Sequence, residues 1–112
     1  MKIENIKSQM RKGILEYCIL NILNKKESAY TSEILQELKE AKLIVVEGTV
    51  YPLLTRLKNS KYLSYKWEES NSGPPRKYYR LTKKGEELLQ LMHSAWDELV
   101  TAVNHINQNK KN

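Results

Sequence analysis

Two short stretches of the chain concentrate side chains that bind anions. The first holds Thr49, Tyr51, Thr55, Arg56, Lys58 and Lys61, and the second holds Arg76, Lys77 and Tyr78. Guanidinium and ammonium groups are strong phosphate ligands, and the hydroxyls between them can donate to phosphate or read base edges. No catalytic set accompanies them. The sequence has no Ser/His/Asp arrangement, no His/Cys cluster at metal-ligand spacing and no glycine-rich phosphate loop. His93 and Asp97 lie four residues apart and share a helix face, but a metal needs more ligands, so they read as a surface pair. Cys18 falls in an apolar stripe and reads as a small buried hydrophobe. The expected chemistry is therefore binding, with no active site, cofactor or metal.

The charge map agrees. The 112 residues carry a net charge of +6, yet residues 27–48 alone sum to −3 and residues 49–66 to +4 with no acid among them. Such a balance points to an anionic partner. Helix cations are often no more than a solvated face, so the architecture beneath them decides. With 40% hydrophobic and 29% charged residues the chain is the size and composition of one globular domain, which excludes disorder as its main state. No apolar run approaches a membrane span, and the N-terminal residues are too polar for a secretory signal. The single cysteine precludes an internal disulfide. A cytoplasmic location and no membrane partner are expected.

Apolar spacing predicts a first helix over residues 8–24, with Ile14, Leu15, Cys18, Ile19, Ile22 and Leu23 inward. A second helix begins at Thr31 or Ser32, either able to cap it. Neither has a Glu three residues on, so no capping box is expected. Ile34, Leu35 and Leu38 face inward, and the end lies near Ala41. Leu43 to Val46 form a short strand or a packed connector. A third helix spans residues 47–60 on Leu53, Leu54 and Leu57, with Pro52 confined to its first turn because it lacks an N–H. The period then drops to two. Leu63, Tyr65 and Trp67 alternate with polar residues, Tyr79 and Leu81 do the same, and residues 70–75 between them are turn chemistry. This is a β-hairpin with Tyr79 in the core and Trp67 packed beneath it. Thr82 caps a last helix whose stripe includes Leu88, Leu89, Met92, Ala95, Trp96, Leu99, Val103 and Ile106. Its heptad spacing reads as a seam for a second copy of the chain, making a homodimer.

Three helices followed by a hairpin is the order of a winged helix-turn-helix. The expected fold is mainly α with a small β-hairpin, plus a long C-terminal dimerisation helix. Residues 1–82 form the DNA-binding domain, 83–108 the dimerisation helix and 109–112 a disordered tail. In such a module the third helix enters the major groove and the wing grips neighbouring backbone.

Two strings sharpen this reading: Gly48-Thr49-Val50-Tyr51-Pro52-Leu53-Leu54-x-Arg56-Leu57, and Gly73-Pro74-Pro75-Arg76-Lys77-Tyr78-Tyr79-x-Leu81-Thr82-x-x-Gly85. With both in this order, the chain resembles the PadR family of bacterial transcriptional regulators. The resemblance implies a homodimeric repressor that binds double-stranded, pseudo-palindromic operator DNA. By position it puts Thr49, Tyr51, Pro52 and Arg56 on the recognition helix, and Gly73, Arg76, Lys77 and Tyr78 on the wing. The single C-terminal helix is similar to the multidrug-responsive subgroup, in which a Trp of that helix stacks on flat aromatic ligands. Trp96 matches that position, with Met92 as a pocket wall, although an interface core residue is the simpler role for both. The chain departs from the family at Val46, where a capping side chain is common and valine cannot cap. The rival reading is a winged helix used for protein contact, with no DNA partner.

Overall fold

The computed structural model describes residues 2–108, so the tail expected at 109–112 lies outside the described residues. The elements run α1 (Ile3–Arg11), a 3-10 turn (Lys12–Ile14), α2 (Leu15–Lys26), α3 (Thr31–Glu40), α4 (Glu47–Asn59), β1 (Leu63–Ser70), β2 (Gly73–Leu81) and α5 (Lys83–Gln108). The fold is a winged helix-turn-helix: α3 and α4 form the helix-turn-helix, and β1–β2 the wing.

The single first helix expected over residues 8–24 is two helices. The break falls at Lys12-Gly13-Ile14, where glycine weakens the α-helix and the backbone tightens into a 3-10 turn. α1 buries no residue, and Ile3, Ile6 and Met10 are exposed. α2 is the central helix. It buries Leu15, Ile19, Leu20 and Leu23, a wider arc than the expected stripe, because α3, α5 and β2 all pack on it. Cys18 is half-buried there, and burial pushes its thiol pKa up, which keeps it protonated and unreactive.

The start of α3 differs from expectation. Its N-cap is Tyr30, one residue earlier than the expected caps, and Thr31 is buried. The Tyr30 N–H donates to the Glu33 carboxylate at 3.2 Å, and the Glu33 N–H donates to the Tyr30 carbonyl at 2.9 Å. The glutamate half of a capping box is thus present where none was expected. Residues 43–46 are a connector rather than a strand. Leu43 and Val45 pack on the core, and the Ile44 carbonyl accepts a hydrogen bond from Arg11 Nη2 at 2.9 Å.

α4 begins at Glu47 after an uncapped Val46. Pro52 is therefore in the second turn, not the first, and the Gly48 carbonyl lacks its helical donor. Val50, Leu54 and Leu57 are buried, while Leu53 is only half-buried, so Val50 takes the place expected of Leu53 in the inner stripe. In the wing Leu63 pairs with Leu81, Tyr65 with Tyr79 and Trp67 with Lys77, antiparallel throughout. Ala29 bridges Tyr79 through both backbone bonds, on the edge of β2 away from β1, and ties the chain before α3 to the wing. The tip is only Asn71-Ser72. Gly73, Pro74 and Pro75, expected in the turn, belong to β2, where Gly73 faces Ser70. Tyr79 is core, but Trp67 is 62% exposed instead of packed beneath the hairpin. It lies two residues beyond Tyr65, past the end of the helical layer.

Thr82 caps α5 as expected. Its hydroxyl accepts the Gly85 N–H at 3.0 Å and donates to the Lys61 carbonyl at 2.6 Å. Leu89 is 1% exposed within the chain's own core, so it is not free for the seam it was assigned to. The helix keeps contact with α2 as far as Trp96 and then projects from the domain. Its 26 residues span about 39 Å, and Leu91, Leu99, Val103 and Ile106 are all exposed.

Candidate nucleic-acid interface

A helical turn of 100° per residue sets the faces of α4. Opposite the buried Val50, Leu54 and Leu57 runs a ridge of Gly48, Tyr51, Pro52, Thr55 and Asn59, all exposed. Thr49 and Arg56 lie on the edge towards α2, and Lys58 on the edge towards the wing. Lys58 Nζ is 5.7 Å from the Tyr65 ring. The Arg56 guanidinium is forked onto Glu16 of α2, with Nε 3.0 Å from Oε2 and Nη2 2.6 Å from Oε1.

Between α4, the start of α3 and the wing lies an open groove of about 380 Å³. Tyr51 and Thr55 line it from the helix, Arg76 and Lys77 from the wing, and Tyr30, Thr31 and Ser32 from below. None of its lining residues is acidic. The wing cations lie over aromatic rings. Lys77 Nζ is 4.4 Å from the Tyr65 ring centre and 5.3 Å from that of Trp67. The Arg76 guanidinium is 4.5 Å from the Tyr30 ring centre, and Tyr30 packs edge-on to Tyr78 at 5.1 Å. These contacts order long side chains without neutralising them, so both charges remain available to an anion.

The structure thus gathers Tyr51, Thr55, Arg76 and Lys77 around one groove; Thr49, Pro52, Arg56, Lys58 and Tyr78 do not line it, and Lys61 and Gly73 lie at the far ends of helix and wing. Lys61 closes α4 with φ of 72°, twelve residues and about 18 Å from Thr49. Gly73 opens β2, next to the wing tip. Sequence reasoning missed Tyr30, Ser32 and Trp67 as groove residues and Glu16 as the partner of Arg56. The alternation that put Trp67 on the inner face carried no information on where the helical layer ends.

On α5, Trp96 packs on Tyr17 with ring centres 6.0 Å apart and remains 38% exposed. His93 Nδ1 hydrogen-bonds the Tyr17 hydroxyl at 2.6 Å, so the surface pair expected with Asp97 is replaced by a link to α2. Met92 is half-buried against the core. Trp96, Leu99, Val100, Val103 and Asn104 line a shallow hollow of about 230 Å³. No group of His, Cys, Asp and Glu able to hold a metal occurs among the described residues, and no helix among them is long and apolar enough to cross a membrane.

Comparison with known proteins places these features in context. Residues 19–91 match the profile of the transcriptional regulator PadR-like family. A PadR-like transcription factor from Bacteroides fragilis is similar over 91% of this chain and 98% of its own, at 66% identity and a TM-score of 0.75. A PadR-like transcriptional regulator from Bacillus cereus is 39% identical over 91% of this chain and 99% of its own, with a TM-score of 0.79. A PadR family regulator from Eggerthella lenta is 28% identical over 96% of this chain and 94% of its own, with a TM-score of 0.86.

Proposed function

The chain belongs to the PadR-like family of transcriptional regulators, and from that premise we propose that it is a repressor binding a pseudo-palindromic operator as a homodimer. Residues 2–82 serve as the DNA-binding unit and α5 as the dimerisation helix. Each copy lays α4 in the major groove of one half-site, the half-sites lying about 34–36 Å apart or a multiple of that. Tyr51, Pro52 and Thr55 meet base edges. Thr49, Arg56 and Lys58 take phosphates along the two edges of the helix, and Lys61 takes one beyond its end. Arg76, Lys77 and Tyr78 hold the backbone beside the wing, with Gly73 next to its tip. The observation that carries this reading is the acid-free groove, in which the α4 ridge and the wing cations converge.

The exposed α5 stripe of Trp96, Leu99, Val103 and Ile106 supports the dimer, since water-exposed apolar faces of this length normally meet a partner. A planar aromatic effector stacking on Trp96, with Met92 beside it, would release DNA by favouring a spacing of the two α4 helices that misfits the operator. Quenching of Trp96 fluorescence by such compounds tests that part. The main test is fluorescence anisotropy with DNA from upstream of the protein's own gene, between about 50 and 200 mM salt. Tight binding that survives competitor DNA and falls steeply with salt is expected. Absence of binding at low salt would favour a protein-contact module instead.

A further inference from the structure

The fork between Arg56 and Glu16 has a direction. The Arg56 side chain is 64% exposed and the Glu16 side chain only 23%, so the carboxylate stands behind and the guanidinium in front. Glu16 occupies only the side-on edge of the guanidinium, through one N–H of Nη2 and that of Nε. The second N–H of Nη2 and one N–H of Nη1 point along the end-on edge and have no protein partner among the described residues. Glu16 is itself well placed, in the first turn of α2 where the helix dipole favours an acid. Arg56 stands on the α2 edge of α4, beside the ridge rather than on it.

We propose that Glu16 is a positioning residue for DNA: it holds the side-on edge of Arg56 so that the end-on edge meets a backbone phosphate already oriented. This rests on the DNA-binding reading above. An unrestrained arginine must be ordered on binding, whereas a forked planar guanidinium is preorganised. The sign of the effect is diagnostic. Removing an acid from a surface that faces DNA should strengthen binding if only charge matters. If Glu16 positions Arg56, removing it weakens binding.

The experiment measures affinity and salt dependence for wild type, Glu16→Ala, Glu16→Gln, Arg56→Ala and the Glu16→Ala/Arg56→Ala double variant, on the duplex that the wild type enriches from a randomised library. Glu16→Ala should bind about threefold to tenfold more weakly, the range set by ordering one long side chain. Its log–log salt slope should stay unchanged because the phosphate contact persists. Glu16→Gln keeps one acceptor oxygen and should fall between Glu16→Ala and wild type. Arg56→Ala should lower the slope by about 0.9, one phosphate's share. In the Arg56→Ala background, Glu16→Ala should no longer weaken binding.

Tighter binding by Glu16→Ala would show that the carboxylate competes with DNA for Arg56 and would overturn the proposal. Equal losses with unchanged slopes for Glu16→Ala and Arg56→Ala would overturn it too, since the pair would then only staple α4 to α2. In either case wild-type binding would leave the DNA-binding reading intact. Failure of the wild type to enrich any duplex would remove both.

Discussion

An alanine at position 85 would place its Cβ 2.1 Å from the carbonyl oxygen of Tyr62. Gly85 is buried in the first turn of α5, where the helix passes directly over the turn that leads into β1. Backbone cannot retreat as a flexible side chain can. Gly85→Ala should therefore destabilise the fold by about 1–3 kcal/mol, in the range of overpacked cores, read as a lower midpoint in thermal unfolding. An unchanged midpoint would mean that α5 can shift without loss. A second residue-scale contact, the Lys25–Glu37 ion pair, joins the end of α2 to α3. The hydrogen bond from Lys25 holds the Glu37 carboxyl below the usual glutamate range. Its contribution is thus present above the unfolded-state pKa and lost as pH falls through the folded one. The Lys25 side chain is largely exposed and Glu37 still touches solvent, so only a small acid-side loss is expected. Lys25→Met should flatten that part of a stability–pH curve without moving its neutral plateau much.

At the scale of elements, α3 and α4 end alike. Lys42 and Lys61 adopt φ of 65° and 72°, and the following N–H groups, of Leu43 and Tyr62, reach back to the Leu38 and Leu57 carbonyls at 2.8 and 3.0 Å. These are Schellman closures with lysine where glycine is usual. A side chain in the left-handed region costs about 1–2 kcal/mol, and glycine recovers part of that despite its unfolded-state entropy. Lys42→Gly should raise the unfolding midpoint by a few degrees, equivalent to about 0.5–1 kcal/mol. A fall would mean that Lys42 makes a contact worth more than the strain. The helix-turn-helix was legible in the sequence because Ile34, Leu38, Leu54 and Leu57 keep helical spacing. The closures were not, since no glycine marks them. The break at Gly13 was hidden for a related reason: apolar residues continue across it, and periodicity alone does not register a change from α to 3-10.

For the whole molecule, α5 sets the shape. The longest extent is 62 Å against 34 and 21 Å across, and α5, at about 39 Å, is the longest element. Leu99→Asp with Val103→Asp should leave the winged-helix domain folded, since neither side chain enters its core. If the exposed stripe joins two copies, the double variant should sediment as a monomer and lose most operator affinity, because one half-site alone binds far more weakly. Persistence of the dimer would move the interface elsewhere on the chain.

The sequence by itself determined the kind of molecule. Local patterns of period 3.6 and 2, the Thr82 cap and the acid-free cationic stretch of residues 49–66 are properties of neighbours along the chain, and they specify the elements and their order. Tertiary structure decided which of these residues meet. Glu16 and Arg56 are 40 residues apart, Tyr17 and His93 are 76, and the groove joins α3, α4 and the wing. Such pairings depend on packing angles and on where a layer ends, which no local period records. That is why Leu89 proved to be core and Trp67 surface, although both sit on apolar stripes.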